Sequence, residues 1–87
     1  MSWSIGFVAR SRSHALQCVD RERALTLQKP LGGVPVTVLD YVRGAIEGLA
    51  HDTPIRVEGH GHLAMPSEQV YQVSTVKLEV VPFDFST

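Results

Sequence analysis

Three stretches of the chain alternate apolar with polar residues at every second position, the pattern of strands with one buried face. Trp3-Ser4-Ile5-Gly6-Phe7-Val8 sets Trp3, Ile5 and Phe7 on one side. Ile55-Arg56-Val57-Glu58-Gly59-His60 and Val76-Lys77-Leu78-Glu79-Val80 repeat the pattern near the other end. These two suit an antiparallel pair, and their charges suggest a register. With Val57 opposite Leu78, Ile55 meets Val80, Arg56 meets Glu79 and Glu58 meets Lys77. Apolar pairs then fill one face and opposite charges the other, each pair contributing roughly 0.2–1 kcal/mol. A slip of one residue would expose Ile55 and Val57 and bury the charges. The same register sets His60 against Thr75 and His62 against Val73, leaving residues 63–71 as a loop or extended tip.

One inconsistency stands out. Val76, Leu78 and Val80 share a face, whereas Tyr71, Val73 and Thr75 fall on the other. Either a bulge near Ser74-Thr75 re-aims the chain, or the second face is covered as well, which would imply a partner.

The helical period appears between the strands. From Thr37 to Ala50, Val38/Leu39, Val42, Ala45/Ile46 and Leu49 recur at three- and four-residue spacing, which makes one apolar stripe. Pro35 suits the start of this helix and His51 its C-terminal end. Gly44 and Gly48 allow close packing there, and Gly6 in the first strand suggests close approach by a neighbour or a bulge. Residues 13–27 carry a thinner stripe through Ala15, Leu16 and Val19, with Ser11 or Ser13 as N-cap. A helix is expected, with a strand as the alternative because Ala15-Gln17-Val19 also alternates. Lys29 to Pro35 reads as a loop, and its Gly32-Gly33 pair lacks the spacing of a phosphate cradle.

The expected fold is therefore α+β. A three-stranded, mainly antiparallel sheet (residues 3–8, 55–63 and 71–81) carries one or two helices (13–27 and 37–50) on one face. A parallel first and second strand would require a right-handed crossover. Eighty-seven residues make one domain, with a short tail from about residue 82. A domain of this size buries about 60–65% of its unfolded surface, so association is a common source of added stability.

Composition narrows the function. Net charge is −1 with acids and bases interspersed, which argues against nucleic-acid binding through clustered cations. No apolar run approaches the ~20 residues of a membrane span, and no leader pattern opens the chain. The lone Cys18 excludes an internal disulfide and fits a reducing compartment.

Candidate chemistry is sparse. Gly59-His60-Gly61-His62 places two histidines on one face of a strand, where a metal could bridge them. Further ligands would have to come from His14, His51, Glu58 or Glu68, and no spacing demands it. A polar strand end is the preferred reading of His60 and His62, so no metal and no cofactor is expected. The arginines at 10, 12, 21 and 23 read as a solvated charged face with Asp20 and Glu22. No nucleophile elbow or carboxylate pair suggests catalysis. The expectation is a non-enzyme whose interface candidates are Tyr71, Val73, Phe83 and Phe85; the last two either fold back or dock on a neighbouring copy.

Trp3-Ser4-Ile5, Val57-Glu58-Gly59-His60 and the valine-rich last strand resemble small virion-associated proteins of tailed bacteriophages and prophages. The likeness covers the two ends and skips the middle. It implies a structural component such as a capsid-decorating or cement protein, assembled in the bacterial cytoplasm and carried in the virion, or otherwise cytoplasmic. The expected partners are further copies of the chain or a larger assembly such as a capsid, and the charge and hydropathy above argue against nucleic acid and membrane. A second pattern, Gly61-His62 with Tyr71-Gln72-Val73 and Val76-Lys77-Leu78, resembles the dodecins, small flavin-binding assemblies. This chain has Ile55-Arg56 where dodecins place a flavin-stacking Trp, and it adds the 13–27 segment, so flavin binding is not carried over. A dodecin-like small-ligand or metal-binding oligomer remains the alternative.

Overall fold

The computed structural model describes residues 1–29, 33–64 and 72–83. In chain order these form β1 (Ser2–Ala9), α1 (Arg12–Gln28), α2 (Val36–Glu47), β2 (Ile55–Ala64) and β3 (Gln72–Pro82). The three strands make one sheet in the order β1-β2-β3, antiparallel throughout. The fold is α+β. Because β1 and β2 are antiparallel, the handedness rule for parallel crossovers does not apply.

The period-2 pattern places β2 at the centre. Ile55, Val57, Gly59, Gly61 and Leu63 are buried, while the residues between them are exposed or, at Arg56, half-buried. On β1 the matching inner row is Trp3, Ile5, Phe7 and Ala9, opposite Gly61, Gly59, Val57 and Ile55. Large residues on β1 thus lie beside the two glycines of β2. At Gly61 a Cβ would stand 2.8 Å from the Trp3 indole and would collide with the carbonyl oxygen of Ser74. At Gly59 it would stand 2.7 Å from Leu78 Cδ1. Close approach therefore occurs at Gly59 and Gly61. At Gly6 and Gly44, where the sequence suggested it, a Cβ would meet open space.

Both helices cover this inner face. In α1 the Ser11 side chain accepts a hydrogen bond from the His14 N–H at 3.2 Å, a helix N-cap. Ala15, Cys18, Val19 and Thr26 are the buried positions of α1, and Leu16 lies half-buried against the core. Thr26, near its end, donates its hydroxyl to the Val34 carbonyl at 2.7 Å, fastening α1 to the segment that leads into α2. The stripe of α2 buries Val38, Leu39, Val42 and Ile46. This helix ends at Glu47, three residues before the expected Ala50, because Gly48 serves as its C-cap. His51 consequently lies in the following turn. Its carbonyl accepts the Arg12 N–H at 3.1 Å, and its ring nitrogens lie 2.8 and 3.0 Å from the Arg12 guanidinium.

The arginines of α1 are not one patch. Arg23 pairs with Asp40 at 2.6 Å, and Asp20 with Arg43 at 3.0 Å, so exposed ion pairs lace the two helices together. Each such pair is worth at most about 1 kcal/mol. The larger share comes from the apolar cluster of Trp3, Ile5, Val19, Leu39, Val42, Ile46, Ile55 and Val57 with its neighbours. A fully buried side chain of this kind contributes about 1.5–3 kcal/mol. No helix among the described residues is long and apolar enough to cross a membrane.

The register of β2 with β3 differs from the expected one by two residues. Val57 lies opposite Val80, Arg56 opposite Val81, Glu58 opposite Glu79 and His60 opposite Lys77. A shift of two preserves which face every residue occupies, so the hydrophobic pattern is satisfied equally by both registers. The expected ion pairs persist as diagonal contacts, Lys77–Glu58 at 3.1 Å and Arg56–Glu79 at 3.5 Å. Beyond His60 the pairing jumps, and Gly61 faces Thr75. Val76 is therefore an extra residue, a β-bulge one position past Ser74-Thr75. The bulge resolves the face conflict. Val73 and Thr75 lie opposite Leu63 and Gly61, on the same inner side as Leu78 and Val80.

Candidate functional site: the open edge of β3

β3 is an edge strand with incomplete cover. Its residues from Lys77 to Val81 are half-buried, but Gln72 to Val76 are exposed, although Val73 and Thr75 face the helical side. The reason is the placement of the helices. α1 packs along α2 and over β1, and α2 touches β3 only thinly. Between α2 and β3 lies an open groove of about 450 Å³, lined by Thr37, Val38 and Tyr41 on one wall and by Val73, Thr75, Val76, Lys77 and Leu78 on the other. Tyr41 is 63% exposed and Val76 62% exposed, high values for large apolar side chains. Apolar surface left open beside an unpaired strand edge is a feature of association sites.

The opposite face of the sheet is mostly polar, with Val8 and Val81 flanking Arg56 at one end. Along β2 it carries Arg56, Glu58, His60 and His62, flanked by Ser2 and Ser4 of β1 and by Ser74, Lys77 and Glu79 of β3. Glu58 and Glu79 stand directly opposite one another, an unfavourable pairing by itself. Lys77 relieves Glu58: its hydrogen bond, and then its charge, hold the Glu58 carboxyl below the ordinary value of 4.5. Among the described residues Glu79 has only the longer contact with Arg56.

His60 and His62 share this face as expected, but their cross-strand neighbours are Ser4 and Lys77 for His60 and Ser2 and Ser74 for His62. A lysine beside His60 disfavours a cation there. No group of three or more His, Cys, Asp or Glu side chains among the described residues is placed to hold a metal ion. Cys18 is buried in the helical layer.

Of the four interface candidates, Val73 lines the groove and is 38% exposed. Phe83 is half-buried and its N–H donates to the Pro54 carbonyl at 2.8 Å, so the tail begins by returning to its own domain. Tyr71 and Phe85 lie outside the described residues, as do Glu68 and the centre of the loop at residues 30–32. Thr37 and Tyr41 belong to the site although the sequence did not single them out. The available signal was an aromatic at position 41, off the apolar stripe of α2. Comparison of the chain with protein-family models, with curated proteins and with solved structures finds no match.

Proposed function

We propose that this chain is a non-enzymatic assembly protein that acts by self-association, alone or as a docked part of a larger particle. The observation that carries the reading is the groove between α2 and β3, where among the described residues Tyr41, Val73 and Val76 are open to solvent beside an unpaired strand edge. Small domains gain stability by covering such surface with another subunit. The resemblance of the two ends of the chain to tailed-phage virion proteins supplies a candidate particle, a capsid that the protein decorates. The shallow, open groove suits a protein surface better than a small ligand, which binds where most of its own surface is enclosed. Light scattering on the purified chain over the widest soluble concentration range tests the proposal. An oligomer of defined mass is expected. A strict monomer at every concentration would count against it.

A further inference from the structure

Among the described residues the outer edge of β3 is unpaired, and its side chains carry information about what would pair with it. In an antiparallel sheet, residues opposite one another share a face. A β3 strand joined to a second β3 by a two-fold axis must therefore be centred on a residue, not between two. Within the half-buried stretch of residues 77–81, an axis at Val80 or Val81 sets Pro82, which has no N–H, against Leu78 or Val80, and three centres remain. An axis at Lys77 sets lysine against lysine, and an axis at Glu79 sets glutamate against glutamate. An axis at Leu78 sets each Lys77 against Glu79 of the other copy, twice, with Leu78 facing Leu78 and Val76 facing Val80.

We propose that β3 pairs with β3 of a second copy about a two-fold axis at Leu78, joining two three-stranded sheets into one of six strands. The interface rests on the self-association reading above and gives it a partner and a register. Charge complementarity selects this register. Within one chain Glu79 stands opposite Glu58, while Lys77 is committed to Glu58 at 3.1 Å. In the joined sheet, Lys77 of the second copy lies directly beside Glu79 and relieves the carboxylate pair. Lysine on an edge strand ordinarily repels arbitrary strands; here it meets a carboxylate in one alignment only. The bulge at Val76 and the missing N–H of Pro82 confine the pairing to residues 76–80. Because the axis runs perpendicular to the sheet, the helices of both copies lie on one side. The two grooves then open on the same side of the joined sheet, with each Val76 set against Val80 of the other copy. An isologous contact of this kind closes on itself as a dimer.

Sedimentation equilibrium on Lys77→Glu, on Glu79→Lys and on their equimolar mixture tests the interface. Lys77→Glu leaves only carboxylates along the paired row, and Glu79→Lys only ammonium groups, so each alone should dimerise at least about tenfold more weakly than wild type. Mixed, the two restore both opposite-charge pairs, and a heterodimer of near wild-type affinity should form. Circular dichroism checks that each variant folds. Should either not fold, Val76→Asp decides, because that side chain is 62% exposed and its loss leaves the core intact; it too should weaken the dimer. Charge variants that associate as tightly as wild type, a mixture that fails to recover, or an unaffected Val76→Asp would each overturn the interface while leaving self-association standing. A wild-type chain that is monomeric throughout overturns both.

Discussion

Replacing Gly61 by alanine should destabilise the protein, against the usual sense of that substitution. Gly61 sits in an extended strand, where removing glycine's extra freedom in the unfolded chain ordinarily stabilises by about 0.4–1 kcal/mol. Here the added methyl would stand 2.8 Å from two atoms of the Trp3 indole and would collide with the Ser74 carbonyl oxygen on β3. Neither neighbour yields cheaply. Trp3 is 4% exposed within the core, and Ser74 is backbone in the paired ladder. Forcing a group into a filled core costs typically 1–3 kcal/mol. The entropic gain offsets part of that, so a net loss of about 1–2 kcal/mol is expected. For a domain of this size that corresponds to a fall in Tm of roughly 5–15 °C. Urea unfolding followed by fluorescence of Trp3, the only tryptophan, reads the change directly. Gly6→Ala is the control: it lies on the same sheet with nothing within reach of its new methyl, and should be neutral or slightly stabilising. Equal stability of wild type and Gly61→Ala would refute the close packing of Trp3 on β2.

Three further outcomes follow from the same geometry. Gly44→Ala, in open space on α2, should stabilise by about 0.5–1 kcal/mol in thermal melts. Thr26→Val removes the hydroxyl that reaches the buried Val34 carbonyl and should cost about 1–3 kcal/mol in denaturant titrations. The Glu58 carboxyl is held below 4.5 by Lys77, so the stability it adds is fully present above that value and disappears as pH falls through its lowered pKa. Melts from pH 5 downward should therefore show a flatter loss of stability in Glu58→Gln than in wild type.

Much of the architecture was legible in the sequence, and the parts that were not have definite causes. Strict alternation in Trp3–Val8 and Ile55–His60 defined faces, and the stripe from Val38 to Ile46 defined α2. Alternation cannot choose between registers that differ by two, and the charges at Arg56, Glu58, Lys77 and Glu79 satisfy one another directly in one register and diagonally in the other. The conflict between Val73 and Val76 foreshadowed a bulge near Ser74-Thr75, and it lies one position further on, at Val76. Gly59 and Gly61 occupy inward positions on β2, and that parity was the available sign that large neighbours lie beside them. The site itself was only half visible. Val73 stood out as an interface candidate, but its groove needs a wall from α2, and Tyr41 reveals its role only once the helix is set against β3.

The single extra residue at Val76 divides β3 into two halves that answer to different constraints. Positions 77–82 are bound to the interior of their own subunit through Leu78 and Val80. Positions 72–75 are phased separately and can change side chains without disturbing that packing. A substitution there alters what the molecule presents to its surroundings, whereas one at the inward Leu78 or Val80 would be felt first as a loss of folding.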